Sequence, residues 1–210
     1  MSTVQISQHP LLLHRLGPLR DKATPAPEFR RLVREIAQLL FWEASRDLQL
    51  RADSVTTPLG ECDTQRLSER IGLVPILRAG LGMADAIVEL VPSAQVWHVG
   101  LYRDHQTLKP ITYYNKLSAH AQLDVAYVLD PMLATGGSAR ETLDILKKWD
   151  VRQLRFLAII AAPEGVRVLQ ESHPDVPIYL AALDRHLNEH SYIVPGLGDA
   201  GDRQFGTLPA

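Results

Sequence analysis

The chain predicts an α/β fold built on a mainly parallel sheet flanked by helices. Three observations carry that expectation. Short apolar runs recur at Ile71–Leu77, Val125–Leu129 and Leu154–Ala161, without the polar alternation of a half-exposed strand. Stretches of helical spacing at Met83–Val91 and Arg140–Trp149 separate them, as crossover connections between parallel strands require. Two of the runs also lead into small-residue turns, Arg78-Ala79-Gly80 and Ala134–Ser138, where open sheets place their ligands.

Taken in order, Val4–Leu19 carries Leu11-Leu12-Leu13 and reads as a short docking helix. After the stiff Thr24-Pro25-Ala26-Pro27, the residues Phe29, Leu32, Val33, Ile36, Leu39, Leu40 and Leu48 predict an amphipathic helix through Leu50. Its apolar face suits either the core or a second subunit. Asp53–Arg70 is polar and broken by Pro58 and Gly60, so it reads as an irregular connection or a short hairpin. Gln95–Leu101 is a further strand, followed by a polar loop carrying Arg103 and Lys109, and then by Ile111–Leu117, which alternates. That hairpin reads either as a mobile cover over an anionic substrate or as a solvated loop. Ala162-Pro163-Glu164-Gly165 opens a helix that ends near His173-Pro174, and Val176–Ala182 is the last clear strand.

Bulk properties exclude several classes. With 210 residues, 46% of them hydrophobic, the chain can bury one proper core. A net charge of -2 gives no global basic field, so no nucleic-acid partner is expected. The lone Cys62 cannot form an internal disulfide, and no Cys/His spacing suits zinc. Met1–Pro10 lacks the pattern of a signal peptide, and no apolar run is long enough to span a bilayer. A cytoplasmic protein with no membrane partner is the expectation.

The most informative stretch is Val125–Arg140. Asp130 falls at the carboxyl end of a strand, Pro131 should stop ladder pairing, and a turn of small residues leads into a helix. Glycines let backbone approach an anion, and amides at a helix start point toward it. A carboxylate beside a phosphate would repel it, so Asp130 makes sense facing sugar hydroxyls while the loop holds that sugar's phosphate. The alternative is an ordinary turn whose Asp caps the helix; loop geometry alone leaves both readings open. Arg78, beside Ala79-Gly80, would clamp further phosphate oxygens. Asn188–Thr207 is rich in glycine and shows no helical period, yet Tyr192, Ile193, Val194, Leu197 and Phe205 are poor residues to leave in water. An ordered loop whose bare backbone reads a flat base fits better than a tail.

Val125–Arg140 resembles the phosphoribosyl-diphosphate (PRPP) binding motif of type I phosphoribosyltransferases, with Pro131 where most members carry a second acid. Asp130-Pro131-Met132-Leu133-Ala134-Thr135-Gly136-Gly137-Ser138 is similar to the uracil phosphoribosyltransferase version. Tyr192–Arg203 resembles the uracil-binding loop of that family, and Val74–Met83 its diphosphate-binding segment.

The resemblance implies a type I phosphoribosyltransferase-like fold with a mobile hairpin and a C-terminal base-binding hood. It implies a single domain over 1–210: a helical and hairpin segment to about 70, a PRPP-binding core over about 71–182 and a uracil-binding region over about 183–210. The implied reaction is uracil plus PRPP giving UMP and diphosphate. Arg78, Arg103, Asp130 to Ser138 (including Pro131, Met132, Leu133, Ala134, Thr135, Gly136 and Gly137) and Asp199 would hold PRPP. Ile193, Gly198, Asp199 and Ala200 would read uracil, with Asp199, Arg103 and Asp130 nearest the chemistry. Mg²⁺ is the implied cofactor, held mainly through PRPP rather than by protein ligands. GTP activates some relatives and is a candidate allosteric activator here, and a homodimer or higher homo-oligomer is implied. A relative using a purine or orotate, or an RNA-binding regulator, would be the alternative; the Gly196–Gly201 loop and the lack of a basic face argue against them.

Overall fold

The computed structural model describes residues 3–103, 110–115, 122–149 and 151–207, with the backbone alone for 99–103 and 110–115. In chain order the elements are β1 (Val4–Ile6), α1 (Pro10–Arg20), α2 (Ala26–Ala44), β2 (Leu50–Thr57), β3 (Gly60–Leu67), β4 (Ile71–Pro75), α3 (Leu81–Leu90), β5 (Gln95–Val96), β6 (Val99–Arg103) and β7 (Pro110–Asn115). They continue with β8 (Val125–Leu129), β9 (Met132–Leu133), α4 (Gly137–Lys147), β10 (Gln153–Ala161), α5 (Pro163–Ser172), β11 (Ile178–Leu183), β12 (His186–Leu187), β13 (Ile193–Val194) and α6 (Ala200–Phe205).

The main sheet runs β1-β11-β10-β8-β4-β5, with β9 against the far end of β10, and every pairing among the described residues is parallel. Its central strands are buried on both faces, which is why they read as unbroken apolar runs. In β8, Val125, Tyr127 and Leu129 join the cluster formed with α1, α2, α3 and Ala200 of α6, whereas Ala126 and Val128 join the cluster with α4 and α5. From β4 the chain moves to one edge through β5, then returns and builds outward in the other direction from β8. The strand order therefore reverses between β4 and β8. Loops leaving the carboxyl ends of those two strands diverge there, and a crevice opens between them.

The structure departs from the sequence reading at several elements, each for a local reason. Val4–Ile6 is a strand on the open edge of β11 rather than part of a helix; three residues are too few to show a period. The long helix stops at Ala44 instead of Leu50. There Arg155, buried on β10, donates to the Ala44 carbonyl and pairs with Asp47 at 2.6 Å, so a cation ends the helix at its negative pole. Leu50 begins the β2–β3 hairpin, which pairs in full register from Leu50↔Leu67 to Thr57↔Gly60 and is mostly exposed. The expected Gln95–Leu101 strand is split: Gln95–Val96 joins the sheet, whereas Val99–Arg103 pairs with Pro110–Asn115 in a separate antiparallel hairpin. Pro131 interrupts pairing only briefly, because Ile159 and Ile160 donate to its carbonyl and β9 resumes beside β10. The glycine-rich C-terminus holds a helix, α6, too short to display a period. No helix among the described residues is long and apolar enough to cross a membrane.

Because Arg155 both caps α2 and packs its guanidinium 5.5 Å from the Tyr127 ring, Arg155→Met should leave the Ala44 carbonyl short of a partner. We expect a loss of about 1–3 kcal/mol of stability from urea unfolding; an unchanged midpoint would remove this residue from the account of the helix end.

Candidate active site

The loop after β8 is built by close backbone packing. Asp130 donates its amide to the Leu157 carbonyl at 3.1 Å, and its carboxylate Oδ1 accepts from the Met132 amide at 3.1 Å. Asp130 therefore folds its own turn and does not cap α4. The cap position belongs to Gly136, whose φ of 80° is left-handed and which offers no side chain to the helix amides. A Cβ at Gly165, in the first turn of α5, would lie 2.3 Å from the Ala134 carbonyl oxygen, so bare glycine lets α5 brace the loop. The loop walls a recess of about 50 Å³ lined by Asp130, Met132–Ser138 and Ala139. The first amides of a helix have no partner within it, and here they meet a glycine-lined hollow sized for a small anion.

Asp130 itself is half-buried. Burial pushes its carboxyl up to about 7, the nearby negative charge of Asp199 adds to the rise, and the Met132 amide opposes it. Two carboxylates from segments far apart in sequence are thus near enough for their charges to interact. Asp199 is exposed, and its side chain caps α6 by accepting from the Asp202 amide at 2.8 Å.

Arg78 arrives from the loop after β4. That loop is pinned to β8, because Ile76 donates to the Leu129 carbonyl at 2.9 Å and a Cβ at Gly80 would sit 2.4 Å from that oxygen. The Leu77–Arg78 peptide is cis. The exposed Arg78 guanidinium pairs with Asp202 at 3.2 Å. A Cβ at Gly201 would fall 3.2 Å from Asp199 Oδ1 and 3.7 Å from Arg78 Nη2, which puts Asp199 and Arg78 beside the same glycine.

The segment carrying Ile193, Gly198 and Ala200 is ordered through its ends. Asp184, at the carboxyl end of β11, takes a two-pronged ion pair from Arg20 at 2.6 and 2.8 Å. The same Arg20 donates to the Gly196 carbonyl at 2.7 Å, and the Gly196 amide donates to Asp184 at 2.9 Å. Gly196 and Gly198 have left-handed φ values of 65° and 80°, and a Cβ at Gly196 would lie 2.1 Å from the Ile193 carbonyl. Ile193 and Ala200 are buried, with Gly198 exposed between them. Glu164 adds a tie by accepting from the Leu187 amide at 3.0 Å. That backbone bond, first among its partners, holds the Glu164 carboxyl below its usual range.

The structure thus gathers Arg78, Asp130, the Pro131–Ser138 loop and Asp199 at the crevice, with the Ile193–Ala200 loop adjoining through Asp199. Arg103 ends β6 opposite Pro110, but its side chain and residues 104–109 lie outside the described residues, so its predicted role is not placed. Arg20, Asp184 and Glu164 drew no assignment from the sequence. Asp184 carried one usable signal, an acid at the carboxyl end of a strand; Arg20 carried none, because its partner is 164 residues away.

Solved structures share this fold. A protein from Aquifex aeolicus superposes with a TM-score of 0.92 at 34% identity, covering 99% of this chain and all of that one. A hypoxanthine-guanine phosphoribosyltransferase from Bacillus anthracis shares the fold at a TM-score of 0.52 and 12% identity, over 76% of this chain and 80% of its own. The α/β fold with its mainly parallel sheet is that of the type I phosphoribosyltransferases. The family model for uracil phosphoribosyltransferase matches residues 6–207. Curated uracil phosphoribosyltransferases from Roseiflexus sp. (strain RS-1) and Halalkalibacterium halodurans are 59% and 54% identical, over 99% of this chain and the whole of each relative. The chain belongs to the uracil phosphoribosyltransferase family.

Two predictions follow from the loop. Gly165→Ala must push the Ala134 carbonyl out of place, so the affinity for ribose 5-phosphate should fall about tenfold or more while the far-ultraviolet spectrum stays native; equal affinity would mean that α5 does not brace the loop. Asp130 has a folded pKa of about 7, above its unfolded value near 3.8, so the folded state holds the proton longer. Stability from this group is full below the unfolded value and is lost as pH rises through about 7. Asp130→Asn should therefore be more stable than wild type at pH 8, with the gap closing as pH falls toward 4. Parallel stability curves across that range would contradict the assignment.

Proposed function

We propose that this chain transfers the 5-phosphoribosyl group of PRPP to N1 of uracil, giving UMP and diphosphate, with the residues gathered between β4 and β8. As a family member the chain is a phosphoribosyl-transferring enzyme of pyrimidine salvage. The observation that carries the residue-level reading is the convergence of Asp130, Arg78 and Asp199 from three distant segments on one crevice.

In this reading the recess over Pro131–Ser138 takes the 5-phosphate on glycine backbone and helix amides. Asp130 accepts from the ribose hydroxyls, and those donors favour its charged form and lower its raised pKa. Arg78, with Arg103, stabilises charge that grows on the diphosphate as the anomeric bond breaks and N1 attacks. Asp130 and Asp199, both negative, suit the positive charge that develops on the ribose. The backbones of Ile193, Gly198 and Ala200 read uracil, so cytosine would leave donors and acceptors mispaired at about 1–3 kcal/mol each. Asp199, next to that loop, is the candidate to take the N1 proton.

Mg²⁺ belongs to the same proposal. No cluster of three or more His, Cys, Asp or Glu among the described residues could hold a metal by itself. The site fits a hard cation brought in on PRPP and held mainly through it, with Asp199 facing PRPP or its metal, and the bound ion would supply neutralisation of the diphosphate. A homodimer or larger homo-oligomer is supported by the exposed β2–β3 hairpin and by an apolar groove of about 490 Å³ lined in part by Leu11, Leu39, Trp42 and Leu90. A cytoplasmic location suits the free, exposed Cys62. GTP activation rests on the family likeness alone, and adding GTP to the assay tests it.

Diphosphate release from PRPP and Mg²⁺ should require uracil and fail with cytosine, hypoxanthine or orotate. Asp199→Asn should lower the uracil rate about a hundredfold. Release with hypoxanthine instead would overturn the base assignment, and full activity in the variant would take Asp199 out of the proton transfer.

A further inference from the structure

We infer that Asp202 is a positioning residue that holds Arg78 in its diphosphate-binding pose and ties that pose to the uracil loop. The inference rests on the functional reading above.

Asp202 sits three residues after Asp199, in the first turn of α6, with its side chain 19% exposed. Its Oδ1 accepts from the Thr207 hydroxyl at 2.6 Å and from Arg78 Nη2 at 3.2 Å. Its backbone is committed too. The Asp202 amide donates to Asp199 Oδ1, and its carbonyl accepts from Gly206 and Thr207 at 2.8 and 3.2 Å. One residue therefore fixes two groups of opposite sign at the crevice: Asp199 through its amide, Arg78 through its carboxylate.

The geometry suits a tether. Asp202 engages a single guanidinium nitrogen, and the Phe205 ring lies 6.0 Å from the guanidinium on the same helix. Among the described residues Asp202 is the only ion-pair partner of Arg78, which leaves the other guanidinium donors for phosphate oxygens. A long, mobile side chain that is already aligned loses less freedom when the anion arrives. Because the anchor is part of the helix that Asp199 caps, a shift of the uracil loop moves the diphosphate clamp with it.

The test is Asp202→Asn, which keeps the shape and the acceptor for Thr207 and removes the charge. PRPP KM should rise about fivefold, the scale of a partly exposed ion pair, with uracil KM changed less than about twofold. In an Arg78→Ala background the same substitution should add almost nothing to PRPP KM. Equal rises in both KM values would make Asp202 merely a structural part of α6, and additive effects with Arg78→Ala would break the link to Arg78; either result overturns the inference. If Asp202→Asn does not fold, Thr207→Val, which loosens the carboxylate but keeps its charge, should raise PRPP KM less and in the same direction, and no rise would count against the tether. Direct titration with inorganic diphosphate, without any base, reads the tether independently of turnover. A wild-type protein inactive with uracil would sink the functional reading, whereas equal diphosphate affinities in wild type and Asp202→Asn would sink this one.

Discussion

The carbonyl oxygen of Leu129 is the point from which the crevice is hung. It closes the last rung of β8, accepts from the Ile76 amide, and leaves room for nothing larger than the α-carbon of Gly80. Through that contact the Arg78 loop and the Asp130 loop, which leave neighbouring strands in diverging directions, keep a fixed spacing. Parallel strands supply the direction, and the reversal of strand order supplies the gap. The buried faces of β4 and β8 then make the arrangement stiff, because neither strand can slide without exposing apolar residues on two sides.

Onto that frame the chain sets charges that do not satisfy one another. Asp130 and Asp199 repel, and the rise in the Asp130 pKa records part of that tension. Arg78 is offset toward Asp202 rather than closed upon either of them. A site whose own groups were fully paired would have little reason to prefer a substrate. Here an anion, a polyol and a counter-cation would each relieve an existing imbalance, which is the condition for electrostatic preorganisation.

Much of this was legible in the chain. The buried strands, the Asp130–Ser138 loop and the Arg78 turn show themselves through local composition, since a strand buried on both faces and a glycine loop both leave marks within ten residues. Features set by distant partners did not. Nothing near Ala44 announces that Arg155 will end the helix there, and the three residues of β1 become a strand only because β11 offers an open edge. The C-terminal helix was too short to show a period, although Asp199 as a cap and Gly206 in the left-handed region are recognisable start and stop signals. Pro131 misled in the opposite sense, because a proline cannot donate but its carbonyl can still accept.

The link from Arg20 to Asp184 and Gly196 has a temporal consequence. The Arg78 and Asp130 loops lie between two segments far apart in sequence, Arg20 on one side and Asp184–Gly196 on the other, whose mutual bonds hold the Ile193–Ala200 loop in shape. During synthesis the middle can fold before the final segment has left the ribosome. In the proposed reading, an unfinished chain would shape its phosphate recess before its base-reading loop. Base discrimination would then be assembled last, when Arg20 meets Asp184 and Gly196.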